Sequence, residues 1–307
     1  MNAFMRLCRS GLKPTNVPLK DTPMQPLNDV ATLERTASLK KSERMPVLFV
    51  GHGSPMNALG DNEYRRSWQA LGAEFGTKMP RPQLILCISA HWLTEGWWLT
   101  GMDKPKTIHD FGAFPQELFD QQYPAPGDAG AAQVISQLVR QRGSQPLGLD
   151  LQHWGLDHGA WSVLKPMFAD ADIPVLQLSM DYSRGPQDHY ALAQQLRALR
   201  DRGVLIVGSG NIVHNVREMQ RGAAGNQAFD WALEFDQTIG GYLQQGNLAA
   251  LQNFQKLGQV AKMAHPSHEH YLPLLYAAGA AESGERMRFF NTSFQMGSIS
   301  MRSVVWG

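Results

Sequence analysis

The sequence predicts a single α/β domain with a largely parallel or mixed central sheet flanked by helices. Short apolar runs recur along the chain: VLFVG at 47–51, LILCISA at 84–90, PVLQLSM at 174–180 and VLIVGSG at 204–210. Segments with helical spacing separate them, the alternation that builds a parallel sheet covered by helices. No internal repeat or linker divides the 307 residues, a length that one large domain accommodates.

Residues 1–45 contain Pro, Thr and Lys without clear periodicity and are expected to be an irregular N-terminal extension with one helical turn around 29–36. The domain runs from 46 to 307. VLFVG is its first strand. EYRRSWQALGAEF (63–75) spaces Tyr64, Trp68 and Leu71 as a helix does. QLILCISA is apolar throughout and reads as a central strand, buried on both faces. GWWLTGM is a third strand. DAGAAQVISQLVRQRG is a helix capped by Asp128, with Gly143 at its C-terminal exit. PVLQLSM is a buried strand. PQDHYALAQQLRALRDRG is an amphipathic helix with Pro186 near its start and Gly203 past its end. VLIVGSG follows as a strand. Helices are expected at 226–243, 247–256 and 268–281, and the tail RFFNTSFQMGSISMRSVVWG alternates as C-terminal β segments do.

The composition, 43% apolar, supports a substantial core, and the net charge of +1 gives no electrostatic case for nucleic acid or a membrane surface. No apolar stretch approaches a bilayer span. The two cysteines, Cys8 and Cys87, exclude a disulfide framework or a Cys-rich zinc motif. The N-terminus lacks the apolar region of a secretory signal. Together these features predict a cytoplasmic protein; homo-oligomerisation stays open.

The ten histidines are the informative residues. His52 follows VLFVG, His91 follows LILCISA and His214 lies just past VLIVGSG. One loop histidine is ordinarily a hydrogen-bonded turn residue. Three that end three core strands meet where α/β sheets bind ligands, and imidazole ligates zinc and iron readily. In HPSHEHYLP, His268 and His270 are two residues apart and cannot share a helical face; Glu269 competes as a ligand. His158, in WGLDHGAW, is either a pocket residue with Asp157 beside it or a turn histidine packed by Trp154 and Trp161. His109 lies in TIHDFGAFP, a loop suited to covering a planar substrate. His265, His153 and His189 read as structural or exposed. No G-x-S-x-G, Walker A or H-E-x-x-H motif is present, and Gly-Ser-Gly at 208–210 is only a weak phosphate signal.

GHGSPMN, SAHW, TIHDFGAFP, YPAPG, WGLDHGAW, SGNIVHN, EHYLPLLY and FQMGSISM occur in this order. In them residues 46–307 resemble the extradiol 4,5-DOPA dioxygenases of the LigB superfamily. The resemblance implies a metal site made by His52, His91, His214 and His270, holding one Zn(II) or, for turnover, Fe(II). It leaves open whether His214 is a ligand or the base, and whether Glu269 replaces His270. It implies catechol and O2 as the small-molecule partners, with L-DOPA as one catechol. His158 and His214 would move protons, and His109, Trp92, Phe111 and Tyr271 would contact the ring. The alternative is a zinc-dependent hydrolase using the same histidines to activate water.

Overall fold

Strict alternation along the apolar strands decides how the layers form. In the computed structural model, which describes residues 39–141, 143–222 and 227–307, the strands are β1 (Val47–Gly51), β2 (Leu84–Thr94), β3 (Trp98–Thr100), β4 (Lys106–Thr107), β5 (Gly148–Asp150), β6 (Gly155–Leu156), β7 (Val175–Asp181), β8 (Val204–Gly210), β9 (Met287–Phe290), β10 (Phe294–Gln295), β11 (Ile299–Ser300) and β12 (Ser303–Trp306). Eight form one mixed sheet in the order β5-β3-β7-β2-β8-β1-β12-β9. Its centre, β7-β2-β8-β1, is parallel, and β12 and β9 close one edge antiparallel.

The longer helices are α1 (Glu63–Glu74), α2 (Ala129–Leu138), α3 (His158–Met167), α4 (Pro186–Leu196), α5 (Asp230–Gln244) and α6 (Leu272–Ala280). Val47, Phe49, Leu84, Leu86 and Ile206 point to the layer of α2, α4, α5 and α6. Leu48, Val50, Ile85, Cys87 and Val207 point to the layer of α1 and α3. A period of two thus puts one apolar set on each face of the central strands. No described helix is long and apolar enough to cross a membrane.

Most of the expected elements form near their expected bounds. Asn62 and Asp128 cap α1 and α2 by accepting from backbone N–H groups of the first turn. The helix from Pro186 tightens into a 3-10 turn and ends at Gly203, whose φ of +73° suits glycine. Four readings need correction. The stretch around His158 is no turn: it opens α3, with Asp157 accepting from Ala160 N–H as the N-cap. Gly159, Trp161 and Pro166 hide that helix from propensity. The helix expected over 268–281 begins at Leu272, so His268–His270 precede it as a turn. The helix capped by Asp128 stops at Leu138 with Val139 as its C-cap, short of Gly143. The end of the expected extension also packs on the domain. Leu39 is fully buried, Ser42 N–H donates to the Asp201 carbonyl and Met45 N–H to that of Arg200. Residues 1–38, with the turn expected at 29–36, lie outside the described residues.

Candidate metal centre

β1, β2 and β8 end side by side, and their last side chains on the α3 face are polar: His52, Ser89, His91 and Ser209. Glycines let the backbones close in. A Cβ at Gly51 would lie 2.7 Å from the Met301 carbonyl oxygen. One at Gly210 would strike the His270 carbonyl, and one at Gly159 would strike Ser89 Oγ. Gly-Ser-Gly at 208–210 is therefore no phosphate loop. It is the end of β8, stripped of side chains so that the 270–273 segment packs on it, with Ser209 aimed into the site.

Ser209 sets the orientation of His52. Its Oγ donates to the Gly159 carbonyl at 2.5 Å and lies 3.0 Å from His52 Nδ1. The hydroxyl proton being engaged, Oγ accepts from Nδ1–H, and the lone pair of His52 is left on Nε2. That atom is 3.3 Å from Nε2 of His91. His270 completes a triangle of rings: centroids lie 5.1 Å apart for His52–His91, 5.2 Å for His52–His270 and 5.0 Å for His91–His270. One nitrogen from each falls within 4.8 Å of the other two. Nitrogens about 2.1 Å from a shared tetrahedral ion are separated by roughly 3.4 Å, so the His52–His91 pair already stands at a ligand-to-ligand spacing. Burial, reinforced by neighbouring imidazoles, holds the pKa values of His52, His91 and His270 well below the usual 6.5. These rings are neutral near pH 7, with lone pairs available to a cation. By spacing, charge state and donor type, the three fit a divalent metal.

His214 and Glu269 stand beside this triangle rather than in it. The His214 ring lies flat on His270, 3.4 Å between centroids and 5° between planes. It is outside the three-nitrogen group, so the expectation of a fourth imidazole ligand does not match the geometry. Stacking keeps its nitrogens in a plane parallel to the His270 ring. Glu269 accepts from Ser267 Oγ at 2.8 Å and reaches only to 3.6 Å from His270 Nδ1.

His158 approaches from α3, its ring 3.8 Å from that of His91. Both rings have Nδ1 turned to Asp110, at 2.9 Å from His158 and 3.5 Å from His91. Burial alone would raise the Asp110 pKa, but the contacts with His158 and His91 outweigh it and hold the carboxyl charged well below the usual range.

A family model described as the catalytic LigB subunit of aromatic ring-opening dioxygenase matches residues 46–303. The chain belongs to the LigB family. It is 45% identical to a curated Escherichia coli (strain K12) protein named 4,5-DOPA dioxygenase extradiol, over 88% of this chain and 97% of that one. A Beta vulgaris protein of the same name is 36% identical over 83% of this chain and 94% of its own. The solved structure of an uncharacterized Escherichia coli K12 protein superposes with a TM-score of 0.72 at 40% identity, covering 86% of this chain and all of that one.

Within this LigB domain the expected substrate contacts divide. Phe111 borders the site, its ring 5.4 Å from His158 and edge-on to it. His109 stands behind it, its Nε2 2.9 Å from the Gln121 carbonyl and its ring 5.7 Å from Phe111. Trp92 is buried, and one face is taken by Trp154, stacked at 5.6 Å. Tyr271 is a correction: it is fully buried in the opposite layer, packed on Phe254 at 4.0 Å, with its hydroxyl donating to the Leu251 carbonyl. The first residue after the His270 turn faces the core, so no stacking surface remains. Asp157, expected beside the His158 ring, instead caps α3, and burial raises its carboxyl to about 6. The residues missed were Asp110 and Ser209. Both sit inside histidine-bearing motifs, TIHDFGAFP and SGNIVHN, and neither residue type in a loop or at a strand end carries a pattern of its own.

Proposed function

We propose that this LigB-family chain is a metal-dependent extradiol dioxygenase that opens a catechol ring with O2 to a semialdehyde. The convergence of His52, His91 and His270, with His158 lying against it, carries the reading. The three imidazoles would hold one divalent ion, Fe(II) for turnover, and leave its remaining positions open. Such an ion, when bound, supplies chelation of the two catechol oxygens and a site for O2.

The rest falls to the chain. His158, its ring 5.9 Å from that of His52 and its Nδ1 2.9 Å from Asp110, would take a proton from a catechol hydroxyl through Nε2. His214, half-buried and pushed well below the usual imidazole pKa by desolvation and by His270, is neutral and suited to a second proton transfer. Phe111 offers an aromatic edge to a planar ring. The relatives' name makes L-DOPA the first catechol to test.

The test is anaerobic reconstitution with Fe(II), then O2 uptake on adding L-DOPA or caffeate. Stoichiometric uptake with a yellow semialdehyde absorbance is expected. Turnover of an ester or amide by the zinc form, without O2 uptake on any catechol, would replace this reading with the hydrolase.

A further inference from the structure

Asp110 belongs to none of the roles above, yet among the described residues it is the carboxylate that approaches both the His91 and the His158 rings. Its side chain is 9% exposed. Oδ1 accepts from the His158 backbone N–H at 2.9 Å and lies 2.9 Å from Nδ1 of the same residue. Oδ2 is 3.5 Å from Nδ1 of His91; neither Oδ2 nor His158 Nδ1 closes a hydrogen bond among the described residues, so the carboxylate acts on both rings by proximity and charge. A neutral imidazole carries one N–H, and an ionised carboxylate only accepts. The nitrogen that faces the carboxylate therefore carries the hydrogen.

We propose that Asp110 is a positioning residue that holds His91 and His158 together in the Nδ1–H tautomer, so that both Nε2 lone pairs face the space between the rings. One carboxylate would thus orient a ligand and the base at once. His52 takes the same tautomer by a separate device, the Ser209 hydroxyl. Outer carboxylates commonly fix ligand tautomers in this way, and their loss costs about 10–100-fold in metal affinity or activity.

The two oxygens make Asp110→Asn a sharper variant than removal. The His158 backbone N–H would keep the amide oxygen on its side. The amide N–H2 would then face Nδ1 of His91, force the ring hydrogen onto Nε2 and block that nitrogen as a ligand. Asp110→Ala would release both rings.

The measurement is the ring nitrogen shifts of 15N-histidine-labelled protein, metal-free and with Zn(II). Wild type should show Nδ1–H at His52, His91 and His158. Asp110→Asn should switch His91 to Nε2–H in the metal-free protein and weaken Zn(II) binding at least about tenfold, while His52 is unchanged. Asp110→Ala should mix tautomers at both rings. If the Ala variant does not fold, the Asn variant still decides the His91 half and the wild-type shift of His158, Nδ1–H or Nε2–H, decides the other. Unchanged tautomers at both rings overturn the proposal, and a change at His158 alone overturns its shared character. The kinetic arm rests on the ring-cleavage reading, with an expected 10–100-fold loss of kcat. If wild type opens no catechol, that reading fails, while the nitrogen shifts still decide this one.

Discussion

Buried histidines occur on both faces of the sheet, and the two groups behave differently. On the α4–α6 side, His189 Nδ1 is 2.8 Å from the Tyr276 hydroxyl, which also accepts from Trp97 Nε1 at 2.6 Å. His265 donates from Nε2 to the Ile212 carbonyl at 2.6 Å. Burial lowers both to about 4. On the α3 side, His52 and His270 are buried, His91 is half-buried and all three are lowered as well, but one nitrogen of each is turned on the others. Burial and a depressed pKa therefore do not separate a ligand from a structural histidine. Convergence of nitrogens that the protein leaves without a proton donor does.

The largest effect should come from breaking the convergence. His52→Ala and His91→Ala are each expected to abolish metal retention in a folded protein, whereas His189→Ala keeps wild-type occupancy. Metal analysis of the purified variants checks this, and full occupancy in either of the first two removes that residue from the centre. His158→Ala sharpens the contrast within the cluster. Iron should stay at wild-type occupancy while kcat falls at least about a hundredfold, the scale of a lost general acid/base. Iron loss would make His158 a ligand.

On the structural side the effect is on stability alone. Tyr276→Phe removes the oxygen shared by His189 and Trp97, and each buried group left unpaired costs about 1–3 kcal/mol. Denaturant unfolding should register that loss with metal content unchanged. The last effect is graded with pH rather than all-or-none, and it involves the two structural histidines together. His189 and His265 are neutral when folded, with values of about 4 against 6.5 unfolded. Below 6.5 the unfolded chain binds protons that the folded chain refuses. Stability is therefore full above 6.5 and falls as pH drops towards 4, by up to about 1.4 kcal/mol per unit per histidine. A flat unfolding profile from pH 7 to 4.5 would show that these rings are not held neutral.

What the sequence disclosed follows the same division. Strand ends are legible because apolar runs stop abruptly, so the sequence groups His52, His91 and His214, of which the first two share the nitrogen triangle with His270. His270 was reachable only through the EHYLP motif, because a turn before a helix has no periodicity. Asp110 could not be read: its partners are 19 residues before it and 48 after it, and only the fold brings them together. Tyr271 was misassigned because a motif says which residues travel together and not which way each one points. Leu39 was lost in a segment whose lack of periodicity is real; a single buried anchor leaves no pattern. A chain shortened to Ser42 would lack that anchor.

The clasp below the sheet has a practical consequence. Arg200, wholly buried, is held by Glu285 and donates to the carbonyls of Met45 and Ala280, and Val47 pairs with Trp306 in the antiparallel β1–β12 contact. Both ends of the domain thus leave from the pole where β1 begins, while the histidines occupy the pole where it finishes, roughly 16 Å away along five residues of strand. A surface tether, reporter or affinity handle joined after Gly307 leaves the domain at the pole opposite the histidine cluster. Immobilised through that end, the protein presents its working pole to the solution.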